Sequence, residues 1–485
     1  MNRLEAQVYY DKMRRLFNDF HRVSLQTTEH ETVFLRYQTL ADIGTLPHCA
    51  EISNQYLHLQ DGDIVLMNDP YSGGTLLSAP TLIMGIGTRT AKGSVPAEIL
   101  ITHRLTLKPQ IGPAKTIDDE GLRIPPSPFY IKGSLNIPII EALNSHPQAT
   151  KKFTDIVNQE AQKLLAVREQ IKSQIKSGYL DFSRATVKAY CKVTENEFIR
   201  RLDEIGEGFG ISEISINKNE NIKLSADYHE GHFTFDFSGT SAGETIFLTD
   251  SVTFGTVIGA TISLLEEGVP INSGIFSRFD VKTPRGSMVN SSFPRPLFLG
   301  HTDGINLVAN AVVRTLGTIY KKRAWATSGL SYCSYQLQFR SGVTFVDSLP
   351  VGSGAHEDQS GAEGVTPWLR FKRSPSIEFW EKKFPLQILN TGFRSNSGGD
   401  GRRTGGNGVV RSIKLLEDAK LSWVQLRMPH KPEGIEGGKS GLGPEMIIMR
   451  ASGQKEELAA SGVLELQKGD VLTILSSGGG GYGLK

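Results

Sequence analysis

A short apolar run that is cut off abruptly constrains this chain more than any other stretch. Ile64 to Met67 is long enough for one buried strand. Asn68-Asp69-Pro70 then stops it, because Pro70 has no backbone N–H and biases Asp69 toward an extended conformation. Gly73-Gly74 follows at once, so the chain turns tightly there. A polar, glycine-rich turn between apolar strands is a common mount for a site. It is equally often a plain connection, since turn residues occur in every domain. Similar turns crowd the C-terminal end, in SGGDGRRTGGNGVVR (397–411), EGIEGGKSG (433–441) and SSGGGGYG (476–483). With 51 glycines and no collagen-like period, the expectation is a loop-rich α+β protein with many tight turns.

Hydrophobic periodicity fills in the rest. Residues 3 to about 25 read as an amphipathic helix, with Leu4, Val8, Met13, Leu16, Phe17 and Phe20 on one stripe. Short apolar runs over 32–60 read as strands, as do Ile83–Ile86 and Ala97–Thr102, joined by a turn containing Gly and Ser. Residues 148–177 and Ser183 to about Ile205 read as a helical hairpin broken at Gly178. From 210 to 240 apolar and polar residues alternate, with Phe233, Phe235 and Phe237 on one face of a strand. Residues 250–268 read as a buried helix, 298–317 as a loop entering a helix, 330–350 as strands and 374–386 as a short helix. These shifts divide the chain into an N-terminal α+β region (1–145), a helical hairpin (146–208), a central α+β region (209–395) and a glycine-rich β region (396–485).

Composition excludes several functions. A net charge of +2 with no basic block argues against a dedicated nucleic-acid binder. No segment reaches the ~18 apolar residues of a membrane span. Cys49, Cys191 and Cys333 are too far apart for a CxxC metal site or a disulfide framework, which fits a reducing cytoplasm.

Residue types single out candidates for chemistry. Asp69 sits in the first turn. His103 ends a strand. His301 and Asp303 stand at an expected helix N-terminus, where a carboxylate caps and an anion is favoured. Glu120 and Arg123 share one Gly- and Pro-fixed loop, where Arg123 either grips an anion or pairs with an acid. Arg402 and Arg403, with Arg411, lie among glycines whose N–H groups suit an anion, unless the glycines are purely structural. His48-Cys49 and the Glu378/Glu381 pair carry ligand types but lack further partners, while His356-Glu357-Asp358 has three ligand types on adjacent residues, which rarely point at one ion.

NDPYSGGT (68–75) resembles the NDPYxGGTHLPD signature of the hydantoinase B/oxoprolinase family. EGLRIPP (120–126), DFSGTS (236–241), PINSG (270–274), SGGDGRRTGGNGVVR and the terminal GGGGYG resemble further elements of that family in the same order. The resemblance implies a hydantoinase B-like α+β fold and a subunit of an ATP-dependent complex that hydrolyses a lactam or hydantoin-like cyclic amide. In such a complex a partner A-type subunit uses ATP to activate the substrate, and a second B-type chain can be present. Related members are subunits of ketone carboxylases. For this chain the resemblance offers Asp69, Glu120, His301 and Asp303 as catalytic candidates. It offers Arg123, Gly73, Gly74, Arg402 and Arg403 for substrate or anion binding, and His103 as a metal ligand. A divalent metal is implied at the family's HLPD and HHAD motifs. Here Leu76-Leu77-Ser78-Ala79 replaces the first, while Leu107, Lys108 and Gln110 stand where the histidines and aspartate of the second would be. That substitution sets a non-catalytic scaffold subunit beside the hydrolase reading.

Overall fold

The computed structural model describes residues 1–89, 95–149, 152–202, 206–265, 268–321, 324–368, 375–426 and 431–485. The turn expected after Ile86 and the end of the helix expected near Ile205 extend outside them.

Helix α1 (Arg3–Leu16) is started by a reciprocal cap. Asn2 Oδ1 accepts from Glu5 N, and Glu5 returns a bond to Asn2 N. It buries Ala6, Tyr9, Met13 and Leu16. The helix is shorter than its apolar stripe suggested: beyond it Phe17 stacks on Phe34 and Phe20 meets His103 edge-on, ahead of β1 (Val23–Thr27). β1 belongs to a seven-stranded sheet with β2 (Thr32–Arg36), β3 (Ile64–Met67), β4 (Thr81–Ile86), β5 (Ile99–Arg104), β6 (Ser127–Ile131) and β7 (Ser134–Leu135), in the order β2-β1-β5-β4-β3-β6-β7.

Residues 32–60 correct the strand expectation. Only β2 is extended, and helix α2 (Leu40–Leu57) takes the rest with Pro47 inside it. Residues 40–47 are all buried, so no amphipathic period marks the helix, and proline reads as a breaker. Gly44 lets it lie against helix α6 (Asp250–Ile262). A Cβ on Gly44 would stand 2.1 Å from the Ser251 carbonyl oxygen.

Helices α3 (Ile137–Ser145), α4 (Phe153–Lys176) and α5 (Arg184–Leu202) follow the first sheet. Gly178 takes a positive φ of 72° between the last two. A second sheet, β11-β10-β9-β8, comprises β8 (Gly208–Ser215), β9 (Asn221–His229), β10 (His232–Asp236) and β11 (Phe279–Lys282). Phe233, Phe235 and Phe237 all face inward, in one core with α2, α6, helix α7 (Ser273–Phe276) and helix α8 (Ile305–Ile319). Two further sheets share a third core. One joins strands 344–347, 334–339, 419–424 and 461–466; the other joins 386–393, 409–415, 471–475, 445–449 and 455–457. Both draw strands from either side of residue 396. Helix α9 (Ile377–Lys383) closes this end through Trp380. Among the described residues no helix is long and apolar enough to cross a membrane.

Candidate functional site

The loop after β3 is organised by its own polar side chains. Asp69 caps the 3-10 turn Pro70–Ser72, accepting from Tyr71 N and Ser72 Oγ at 3.1 Å each. Gly73 ends the turn at φ 95°, and a Cβ there would meet Cys49 N and the His48 ring at 3.1 Å. A Cβ on Gly74 would stand 2.6 Å from the Asn68 carbonyl oxygen. Both glycines are therefore required by the turn itself. Asn68 ties this loop to the 119–126 loop: its Nδ2 donates to Leu77 O and Leu122 O at 2.8 Å, and its Oδ1 accepts from Ile124 N at 2.6 Å.

The second loop contributes Arg123 and Glu120. Arg123 bonds Asp69 and Asp118, each at 3.3 Å, and lies 4.7 Å over the Phe293 ring. Its guanidinium is thus spent on pinning the loops, the second of the two roles expected for it. Glu120 Oε1 accepts from Leu297 N and Phe298 N at 2.8 Å, holding the strap 291–298 against the loop. Its Oε2 is buried and has no partner among the described residues. Burial pushes the carboxyl up to about 7, against the pull of the two backbone N–H groups. Tyr71 bonds the same strap, its hydroxyl donating to Arg295 O at 2.7 Å. Burial raises that phenol to about 12.

The loops expected to hold a metal do come together. Leu107 N donates to Ser78 O at 2.8 Å. What they present is apolar. Leu76 packs with Ile111, Phe298, Leu299, Val346 and Val424. Leu77 packs with Ile117, Phe247 and Leu297, beside Tyr71. Ala79 is buried, and Lys108 lies outside at 5.8 Å over the Phe384 ring. Among the described residues no three His, Cys, Asp or Glu side chains group to hold an ion. Leucine and alanine offer no lone pair, so this donor set does not fit the divalent metal that the resemblance implied.

The remaining candidates scatter. His103 is buried on the first sheet, with Nδ1 3.2 Å from Arg22 O and Nε2 3.1 Å from Glu160. Both ring nitrogens have a polar neighbour, and among the described residues no third metal-ligating side chain joins His103 and Glu160. Asp303 is not a helix cap. It lies inside a π-turn, Gly300–Gly304, and accepts from Ser331 Oγ at 2.7 Å and Tyr332 N at 3.1 Å. Burial raises its carboxyl to about 7. His301 is buried, with Nε2 unpartnered among the described residues. Its burial, then the positive charges of Arg104 and Arg22, lower it to about 3, so the ring stays neutral.

Those arginines form a cluster that sequence reasoning missed. Asp42 on α2 accepts from Arg22 Nη2 at 2.6 Å and from Arg104 Nη1 at 3.0 Å. Arg104 also reaches Thr45, Thr81 and the Cys49 sulfur. Burial works against ionised Asp42, but the two guanidinium groups outweigh it and hold the carboxyl well below the usual range. The available signal was a lone Asp and a lone Arg inside apolar segments, where neither is buried unpaired.

Arg402 and Arg403 are exposed, the first 5.6 Å over the Tyr482 ring. Arg411 is buried, pairs with Asp347 and lies 4.6 Å over Trp380. The glycines around them do not form an open cradle. Gly399 N donates to Gly479 O, Gly405 N to Gly399 O, Gly406 N to Ser353 O and Gly479 N to Gly406 O, at 2.8 to 2.9 Å. The backbone N–H groups an anion would need are taken by other backbone segments.

Four sheets, a helical pair and two loops pinned by Asn68 and Glu120 define a known class. The fold is shared with a chain of the ATP-dependent caprolactamase from Pseudomonas jessenii, with a TM-score of 0.85 at 18% identity, covering 100% of this chain and 91% of that one. It is also shared with a chain of nucleotide-free acetone carboxylase, with a TM-score of 0.78 at 13% identity, covering 99% and 74%. The chain belongs to the Hydantoinase B/oxoprolinase family, whose model matches residues 18–485. An uncharacterized protein of Methanocaldococcus jannaschii is 27% identical over 94% of this chain and 81% of its own length. A putative B-type D-/L-hydantoinase subunit from a Pseudomonas species is 24% identical over 87% and 76%. 5-Oxoprolinase 1 of Arabidopsis thaliana is 24% identical over 88% of this chain, which spans only 36% of that protein.

Proposed function

We propose that this chain is a B-type subunit of an ATP-dependent assembly acting on a lactam or hydantoin-like cyclic amide of the 5-oxoproline class. ATP is spent by an A-type partner. This chain supplies the body and the partner surface, and not the family's divalent-metal centre. The observation that carries the reading is the seating of Leu76 and Leu77 in two apolar clusters where the family's HLPD motif would present its ligands. The names of the relatives support the class of assembly. Because the chain spans 36% of 5-oxoprolinase 1, the activity of a whole 5-oxoprolinase would be divided between this subunit and its partner.

One observation favours a second reading, metal-free acid–base chemistry at Glu120. Its Oε2 is unpartnered, and its carboxyl is poised near 7 beside Tyr71. Reconstitution with an A-type subunit separates the two. The first reading expects no stoichiometric divalent ion in the purified chain and ATP-dependent opening of 5-oxoproline by the complex that survives Glu120→Gln. A tightly bound ion would overturn it. Loss of turnover in a folded Glu120→Gln complex would establish the second.

A further inference from the structure

A cavity of about 420 Å³ opens beside the strap that Glu120 holds. Small-molecule sites usually fall between about 300 and 1,000 Å³. Its wall carries Lys115 and Arg295, the serines Ser291 and Ser292, and the rings of Phe247 and Phe293. Among the described residues no Asp or Glu lines it. The Arg295 guanidinium is held 4.9 Å over the Phe247 ring. Among the described residues, neither Lys115 nor Arg295 makes an ion pair. The nearby carboxylates bond elsewhere, although Asp119 also attracts the Lys115 ammonium. Asp119 accepts from the backbone N–H groups of Lys115 and Thr116 at 2.9 Å, while Asp69 and Asp118 neutralise Arg123 on the Phe293 ring.

Two cations outside any ion pair among the described residues, with the Ser292 hydroxyl in the same concavity, favour a small anion with several acceptor oxygens. Two aromatic walls favour a flat or apolar body behind it. We infer that this cavity is an oxyanion site, taking the carboxylate or phosphate group of a small ring-bearing molecule. Arg295 and Lys115 provide the charge, and the Ser292 hydroxyl provides orientation, since the Ser291 hydroxyl donates to Leu248 O at 3.0 Å. Carboxylate and phosphate share this chemistry. The site does not depend on the assembly proposed above, since it is built from this chain alone.

Calorimetric titration of the full chain without partner or ATP tests it with three probes: 5-oxoproline, inorganic phosphate, and neutral 2-pyrrolidinone. At least one of the two anions should bind, at least about tenfold tighter than the neutral lactam, and weaken as salt is added. Stronger phosphate than 5-oxoproline binding identifies a phosphate ligand, and the reverse identifies a carboxylate. Arg295→Gln and Lys115→Gln should each weaken the anion by about fivefold or more, with thermal unfolding unchanged. Equal binding of 2-pyrrolidinone, unaltered binding in both folded variants, or no binding of either anion would overturn the proposal. Lost catalysis in a reconstituted complex with this binding intact would count against the assembly and not against the site.

Discussion

Two regions look alike in sequence and are built by opposite physics. The loops at 68–79 and 105–112 and the glycine stretches at 397–408 and 476–483 are both polar and turn-rich, and both read as mounts for a site. In the first, side chains dominate: Asn68 ties 68–79 to the 119–126 loop, Glu120 ties that loop to the 291–298 strap, and Leu76 and Leu77 pack into apolar clusters there. In the second, glycine backbones approach other backbones too closely for a Cβ, while Asn407, Ser397 and Ser476 side chains bond the backbone at its edge. A Cβ on Gly478, Gly479 or Gly480 would stand 2.0, 1.9 or 2.0 Å from a backbone oxygen of Ser397, Ser353 or Glu433. Glycine-rich turns near charged residues therefore need not bind anything. One set frames a packed apolar plug, and the other is backbone packed on backbone.

The contrast breaks most visibly at Gly479. Gly479→Ala forces a methyl group into the Ser353 carbonyl, where several chain segments would have to move together. A loss of more than about 4 kcal/mol in denaturant unfolding is expected, or failure to fold. A well-folded variant of near-native stability would show that the stack is loose.

Leu77→Ala probes the other region by removing side-chain volume. Leu77 is 7% exposed within its cluster, so a loss of about 2–4 kcal/mol is expected. If stability is unchanged and the variant gains a divalent ion, the leucine is a lid over a metal site rather than a plug.

The clamp has a pH signature. Glu120 is raised to about 7 when folded, so the folded state binds its proton more tightly than the unfolded chain does. The stability it contributes is full below the unfolded value near 4.5 and is lost as pH rises through about 7. Asp303, also raised to about 7, adds a slope of the same sign. Chemical denaturation from pH 5 to 7.5 should show stability falling, and Glu120→Gln should flatten that fall by on the order of 1–2 kcal/mol. An unchanged slope would mean that Glu120 is better hydrated than its surroundings imply.

Arg402→Ala sets the lower bound. Its side chain is exposed beside Tyr482, so the expected change is within about 0.5 kcal/mol. A larger loss would show that side chains do support the glycine stack.

Much of the fold was legible beforehand, for identifiable reasons. β3, β4 and β5, the hairpin around Gly178 and the alternating phenylalanines of β10 follow from local period and breakers. α2 was not legible, because a helix buried on every side carries no stripe and Pro47 resembles a stop. The two paired loops were legible as neighbours only through their resemblance to a family. That Leu76 and Leu77 would plug them, rather than leave a gap, needed Ile117, Phe247, Phe298 and Val424 to arrive from distant segments.

The sequence by itself determined the strand at Ile64–Met67, the turn at Asp69–Gly74 and the absence of metal-binding side chains at 76–79. Propensity, capping and donor chemistry act within a few residues and can be read there. Only the tertiary structure decided that Asp69 would pair with Arg123, and that Asp42 would balance Arg22 and Arg104. It also decided that Glu120 would hold a strap 177 residues away. Those outcomes rest on burial and on partners brought together by the fold, which no local window contains.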